Sequence, residues 1–360
     1  VLLEQLQDLF SPGTIGSSCP LNLIVVSRDY PDCVSRCLSD FARISLDPKT
    51  EGDIQSDIQN SLQNDIETFI TVKVDQLSKH KKYTPELRSH VETVLRERAQ
   101  GRFLWIGIVV QELYKCQRDE VKKTLDDFPP GLDQLYARML RHIPTKWRDV
   151  TAKILSWVAV AVRPLTVVEL STAIDSTVDP TIGLSCEDVM NERVENCGPL
   201  LTTTAKSAGE IQVDLVHQSA KIYLLGKDRS SEPVPEVFRV DEETAHSEIA
   251  LRCLTYLQDG ALADGPVDLT QQCVKAFPFL SYALLRWPDH ARCARSESDV
   301  FDLSLPFYQN HSPVREAWLR SYLRAKKVWD LTEDSPLLHI AAYLGILPLV
   351  DKLLCNGFAV

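Results

Sequence analysis

The cysteines and histidines are the side chains that most invite a metal or nucleophilic reading. The ten cysteines stand at positions 19, 33, 37, 116, 186, 197, 253, 273, 293 and 355, and no two form a C-x-x-C pair. His290 with Cys293 comes nearest to ligand spacing, but no second pair accompanies it, and a closed structural zinc site needs four ligands. Single cysteines inside apolar helical patterns, such as Cys253 in IALRCLTYL, read as reduced core residues. No metal is expected. Ser156 and Ser219 lack a G-x-S-x-G elbow and an assignable acid and base, so acyl transfer is not expected. A phosphate-cradling loop needs G-x-x-x-x-G-K-[ST], whose backbone amides hold the phosphates while the lysine and hydroxyl serve phosphate and magnesium. The one Gly-Lys pair, Gly226-Lys227, is followed by Asp228 and does not fit. The chain is expected to be no enzyme, and to hydrolyse no ATP.

Composition narrows the partners. Hydrophobic residues make up 44% of the 360 residues and charged ones 25%, as in a globular chain long enough for two or three domains. Thirty-nine Lys plus Arg against 50 Asp plus Glu gives a net charge of -11, which argues against nucleic acid and anionic lipid as partners. The longest apolar stretches, Phe103 to Val110 and Ile154 to Val162, fall well short of the roughly 20 residues a membrane span needs. Scattered reduced cysteines and no signal peptide point to a cytoplasmic protein. The chain opens at Val1, and its two methionines are Met139 and Met190, so it reads as a piece of something longer.

The elements follow from periodicity. Residues 1 to 10 have helical spacing. Leu21 to Ser27 is a short apolar run bounded by turn signals, the best candidate for a buried parallel strand. Ile54, Ile58, Leu62, Ile66 and Ile70 form a strict i, i+4 series over Asp53 to Leu77, an amphipathic helix. Helical spacing continues over 85 to 117 from a Thr84-Pro85 start. Pro129-Pro130-Gly131 breaks the chain before a helix carrying Leu132, Leu135, Tyr136 and Leu140. Two β-like runs at 200 to 204 and 211 to 217 flank Gly209 and read as a hairpin. Helix, helix, hairpin, helix over 150 to 225 is the pattern of a winged helix. Ser230 to Pro235 reads as a linker, and 241 to 330 as helix upon helix.

Several segments resemble, in order, the C-terminal half of a fungal NACHT protein of the STAND signalling class. Leu23-Ile24-Val25-Val26-Ser27-Arg28-Asp29-Tyr30-Pro31 resembles the sensor strand and turn. Ala99-Gln100-Gly101-Arg102-Phe103-Leu104-Trp105 and Phe128-Pro129-Pro130-Gly131-Leu132 through Tyr136 resemble the helical lid. Arg163-Pro164-Leu165-Thr166-Val167-Val168-Glu169-Leu170, Cys197-Gly198-Pro199-Leu200-Leu201 and Leu215 through Lys221 resemble a winged helix of the GPI inositol-deacylase type. Phe277 through Leu280 and Trp287-Pro288-Asp289-His290-Ala291 resemble the stalk. Leu338-His339-Ile340-Ala341-Ala342 resembles an ankyrin repeat, a unit that cannot bury its own face alone.

The resemblance implies a mainly α chain. A remnant of an α/β NACHT core at 1–50 precedes a helical lid at 51–149 and a winged helix at 150–228. A linker at 229–235, a helical stalk at 236–330 and the start of an ankyrin solenoid at 331–360 follow. It implies two nucleotide-sensing residues, Arg28 toward the γ-phosphate and His217 toward the β-phosphate of ADP, in a full-length parent carrying a P-loop. Taken from the residues alone, Arg28 is an exposed turn arginine and His217 a buried core histidine at a helix start. Gln218 stands where the family has Asp. No cofactor is expected in this chain; ATP or ADP with Mg belongs to such a parent. Leu349, Val350, Leu353 and Leu354 form one apolar helical face, expected to bind a protein partner or a second copy. The alternatives are a non-switching ankyrin scaffold and an enzyme of unrecognised chemistry.

Overall fold

The computed structural model describes residues 24–25, 38, 41, 53–175, 183–206, 209–227, 232–262, 264–327, 331–332 and 335–358. The helix expected over 1 to 10, most of the Leu21 to Ser27 run, Arg28 and nearly all of the 1–50 segment lie outside these residues. Ile24 and Val25 are described. Neither belongs to a strand, and Ile24 is 86% exposed, so a buried strand finds no support at these two positions. Among the described residues the chain is mainly α with one three-stranded sheet. It divides into two units, residues 1–96 with 101–103, and residues 97–100 with 104–360.

In the first unit, helix α1 (Asp53–Lys81) follows the i, i+4 series and buries Ile66, Ile70, Val74 and Leu77. Helix α2 (Pro85–Arg98) starts where Thr84 Oγ1 accepts the Leu87 N–H at 3.3 Å, and it buries Val91, Val94 and Leu95. Arg96 bridges Glu67 and Glu92 at 2.5 and 2.6 Å, an exposed cluster worth little in stability.

The helical spacing read through 85 to 117 is interrupted. Gln100 and Gly101 take left-handed φ of 50° and 73°, which no helix accommodates, and α3 (Phe103–Lys115) begins anew. In the second unit the reason is visible. Arg98 Nη1 donates to the carbonyls of Asp126 and Phe128 at 2.8 and 2.6 Å, and Trp105 Nε1 donates to the Pro129 carbonyl at 3.0 Å. The two lid-like motifs thus clasp each other around the Pro129-Pro130 turn that ends α4 (Val121–Asp126) and starts α5 (Leu132–His142).

The winged helix follows. Helix α6 (Arg148–Val160) precedes β1 (Leu165–Thr166), α7 (Val167–Ala173) and α8 (Cys186–Asn196). Strands β2 (Leu201–Ala205) and β3 (Ile211–Leu215) are antiparallel with Thr203 opposite Val213, and β1 pairs the other edge of β3. β-branched Thr202, Thr203 and Thr204 suit the strand. Gly209, at φ 80°, closes the hairpin, with Lys206 N–H bonded to the Glu210 carbonyl at 2.8 Å. Thr166 with Glu169 and Ser185 with Asp188 form reciprocal capping boxes that start α7 and α8. Helix α9 (Gln218–Leu224) completes the module.

The stalk is helical: α10 (Glu242–Tyr256), α11 (Gln271–Ala276), α12 (Leu280–Ala291) and α13 (Pro313–Lys326). Its core is aromatic. Trp287, Phe307 and Trp318 lie within 5.2 to 5.4 Å of one another, centroid to centroid. Helices α14 (Leu337–Tyr343) and α15 (Leu347–Cys355) close the described chain, turning at Gly345, φ 67°. The apolar face expected on α15 is largely internal. Leu349 and Leu353 are 1% and 0% exposed, Val350 is half-buried, and of the four only Leu354 stands out, at 49%. The cover comes from α14 and from the stalk turn Asp299–Phe301.

Candidate functional site

His217 caps α9 rather than filling the core. Its backbone is extended, its ring is exposed, and Nδ1 accepts the Ser219 N–H at 3.2 Å. That bond puts the lone pair on Nδ1 and, in the neutral ring, the proton on Nε2. Ser219 Oγ lies 2.8 Å from the same nitrogen and 2.9 Å from Tyr136 Oη, tying α9 to α5. This is a capping relay. Because Nδ1 already serves the Ser219 amide two residues away, the Ser219–His217 pair has the geometry of a cap rather than of a nucleophile and its base. Gln218 is half-buried in the first turn of α9. Arg28 lies outside the described residues, so the two sensing candidates are not brought together.

The densest polar constellation is one the sequence reading missed. Arg163 meets Glu169 with two parallel bonds at 2.8 and 2.6 Å, and Glu169 also accepts the Thr166 N–H at 2.9 Å. Burial opposes the Arg163 charge, but the Glu169 contacts outweigh it and its pKa is raised. The guanidinium lies over the Tyr282 ring, 5.0 Å from its centroid. Tyr282 Oη accepts the Val162 N–H at 3.1 Å and lies 2.8 Å from His290 Nε2, and His290 Nδ1 meets His246 Nδ1 at 2.8 Å. The Thr166-x-x-Glu169 spacing was a legible capping signal. As a metal ligand the sequence offers His290 only Cys293, and the two do not share an environment: Cys293 is exposed and His290 fully buried. Among the described residues no cluster of three or more metal-ligating side chains occurs.

A groove of about 670 Å³ between α6, α10 and the Val237–Val240 segment carries Lys153, Arg239, Arg252, Asp175 and Glu248. Two of its cations already have work. Arg252 donates to the carbonyls of Ala173 and Thr172 at 2.9 and 2.8 Å and pairs with Asp175, and Lys153 reaches the Ile174 carbonyl at 3.3 Å. They cap the C-terminus of α7, a structural duty. Among the described residues no helix is long and apolar enough to cross a membrane.

Four helices, a two-stranded wing and a short first strand define a winged-helix domain, and residues 136–234 match the family described as GPI inositol-deacylase, winged helix domain. Among curated proteins, the chain is 31% identical over 229 residues to vegetative incompatibility protein HET-E-1 of Podospora anserina, covering 62% of this chain and 16% of that protein. It is 28% identical over 207 residues to azaphilone pigments biosynthesis cluster protein L of Monascus ruber, covering 55% of this chain and 43% of that protein. The chain thus spans less than half the length of either relative. No solved structure matches it.

Proposed function

We propose that the chain is the regulatory and protein-interaction portion of a STAND-type, NLR-like signal-transduction switch of the NACHT kind, without catalysis of its own. The observation that carries this reading is the winged-helix match at 136–234, together with the similarity to a vegetative incompatibility protein. The lid-like clasp before the winged helix and the helical stalk after it support the same order of parts. ATP or ADP with Mg would be held by a P-loop of a longer parent, with His217 as the phosphate contact and a cytoplasmic setting for the whole.

Charge supports protein rather than nucleic acid as partner. Helix α8, third of the winged helix, exposes Glu187, Asp188, Glu192 and Glu195 beside one half-buried Arg193. Phosphates would be repelled from that face. A second reading, an ankyrin-type scaffold, is favoured by Tyr343, Leu347 and Leu354, exposed on the α14–α15 pair at 45%, 69% and 49%. Partner binding or self-association is assigned to these three rather than to Leu349 and Leu353.

The switch reading is tested at His217. In this chain His217→Ala should cost only the cap, about 0.5–2 kcal/mol in urea unfolding. In a P-loop-bearing parent it should also remove one hydrogen bond to a charged group, about 1.5–3 kcal/mol, or roughly ten- to a hundredfold in ADP affinity. Unchanged ADP affinity in the parent would sink the switch.

A further inference from the structure

The polar contact between the winged helix and the stalk closes on two imidazoles from distant parts of the stalk. His246 on α10 and His290 on α12 face each other nitrogen to nitrogen at 2.8 Å, and such a contact is a hydrogen bond only when one side carries a proton and the other does not. Tyr282 fixes which. Its oxygen accepts the Val162 N–H from the winged helix and lies 2.8 Å from His290 Nε2. Among the described residues its own hydrogen finds an acceptor only if that nitrogen carries no proton, which sets the tautomer of His290. The network therefore assigns one chain of donors: Val162 N–H to Tyr282, Tyr282 O–H to His290 Nε2, and His290 Nδ1–H to His246 Nδ1. Both rings are neutral in it.

An added proton reverses that chain. On His246 it occupies Nδ1, so the His290 proton must move to Nε2, against the Tyr282 O–H. On His290 it occupies Nε2 directly, with the same result. Either way the tyrosine hydrogen loses its acceptor, and a positive charge sits in a buried site. The surroundings oppose that charge. Lys221 and Lys227 approach His246 from the winged helix, and Arg286 approaches His290 from its own helix. Of the nearby acids, Glu242 is paired with Lys227 and Glu169 with Arg163. Cys253, the remaining titratable group facing Tyr282, is fully buried and its thiol is pushed up by that burial. Burial, with the neighbouring cations, holds His246 below its ordinary value and pushes His290 down to about 3.

We infer that the His246–His290–Tyr282 chain is a proton-sensitive latch holding the winged helix to the stalk, closed while both imidazoles are neutral and released when either gains a proton. The sign follows from the direction of the shifts. Both rings take protons less readily closed than open, so the latch is at full strength above the ordinary histidine value near 6.5 and weakens as pH falls below it. Each proton taken up on opening shifts the closed-to-open equilibrium about tenfold per pH unit.

Amide exchange of the full chain between pH 7.5 and 4.5, corrected for intrinsic rates, tests this, with the Val162 N–H as reporter. Its protection should fall about tenfold per pH unit below about pH 6.5 while the amides of α12 stay protected. In His246→Asn/His290→Gln, whose amides do not titrate, the fall should vanish. Protection of Val162 that ignores pH, an equal fall in the variant, or simultaneous loss from α12 would each overturn the latch. Should the variant not fold, the wild-type ring resonances decide. Both rings should remain neutral at pH 6, and titration of either near 6.5 overturns the proposal.

Discussion

Leu349→Asp combined with Leu353→Asp is expected to unfold the α14–α15 pair, not to dissolve an oligomer. Both side chains are buried beneath α14 and the Asp299–Phe301 turn. Truncating one such leucine costs about 2–5 kcal/mol, and a carboxylate in its place adds the penalty of an unpaired buried charge. Circular dichroism should show lost helix and a lowered unfolding midpoint, with Arg292 losing its bond to the Leu344 carbonyl as the pair detaches. Leu347→Asp and Leu354→Asp alter exposed positions and should stay within about 0.5 kcal/mol of the parent. If the buried pair could be charged without loss of stability, the face would be external after all.

The second large effect is expected at Glu169. Glu169→Ala removes both carboxylate bonds to Arg163 and the capping bond to Thr166 N–H in one step. Among the described residues the half-buried guanidinium then keeps the Pro164 carbonyl, the Tyr282 ring and the weaker attraction of Glu210. Breaking one side of such a pair costs about 3–5 kcal/mol. Arg163→Met with Glu169→Leu should recover much of that loss, because no lone charge then remains at the site. Urea unfolding of the two single variants and the double separates these terms. A single-variant cost under about 1 kcal/mol would mean that the pair is solvated and does not brace the winged helix.

Local signals explain what was legible in the residues. The i, i+4 isoleucines gave α1, Gly209 between two β-branched runs gave the hairpin, and Pro129-Pro130-Gly131 gave the start of α5. Each is a short-range rule acting within one or two turns. What depends on distant partners was not legible. β1 is two residues long and exists only because Leu165 pairs with Val213. The break at Gln100-Gly101 is held by Arg98 and Trp105 reaching residues 24 to 30 positions later. Periodicity placed Leu349 and Leu353 on one face but could not say that the stalk covers it. His246 and His290 stand on different helices, and no spacing rule joins them. The exposed cap at His217 was not legible either: the apolar strand before it points to burial, whereas His217 is exposed at the N-cap of α9.

The proposed role, regulation and protein binding without nucleotide chemistry in this chain, is tested most directly by calorimetry. Titrating the purified chain with ATP, and separately with ADP, in the presence of magnesium should give no heat beyond dilution, because the residues lack a phosphate-cradling G-x-x-x-x-G-K-[ST] loop. A saturable isotherm with a micromolar dissociation constant would contradict the account.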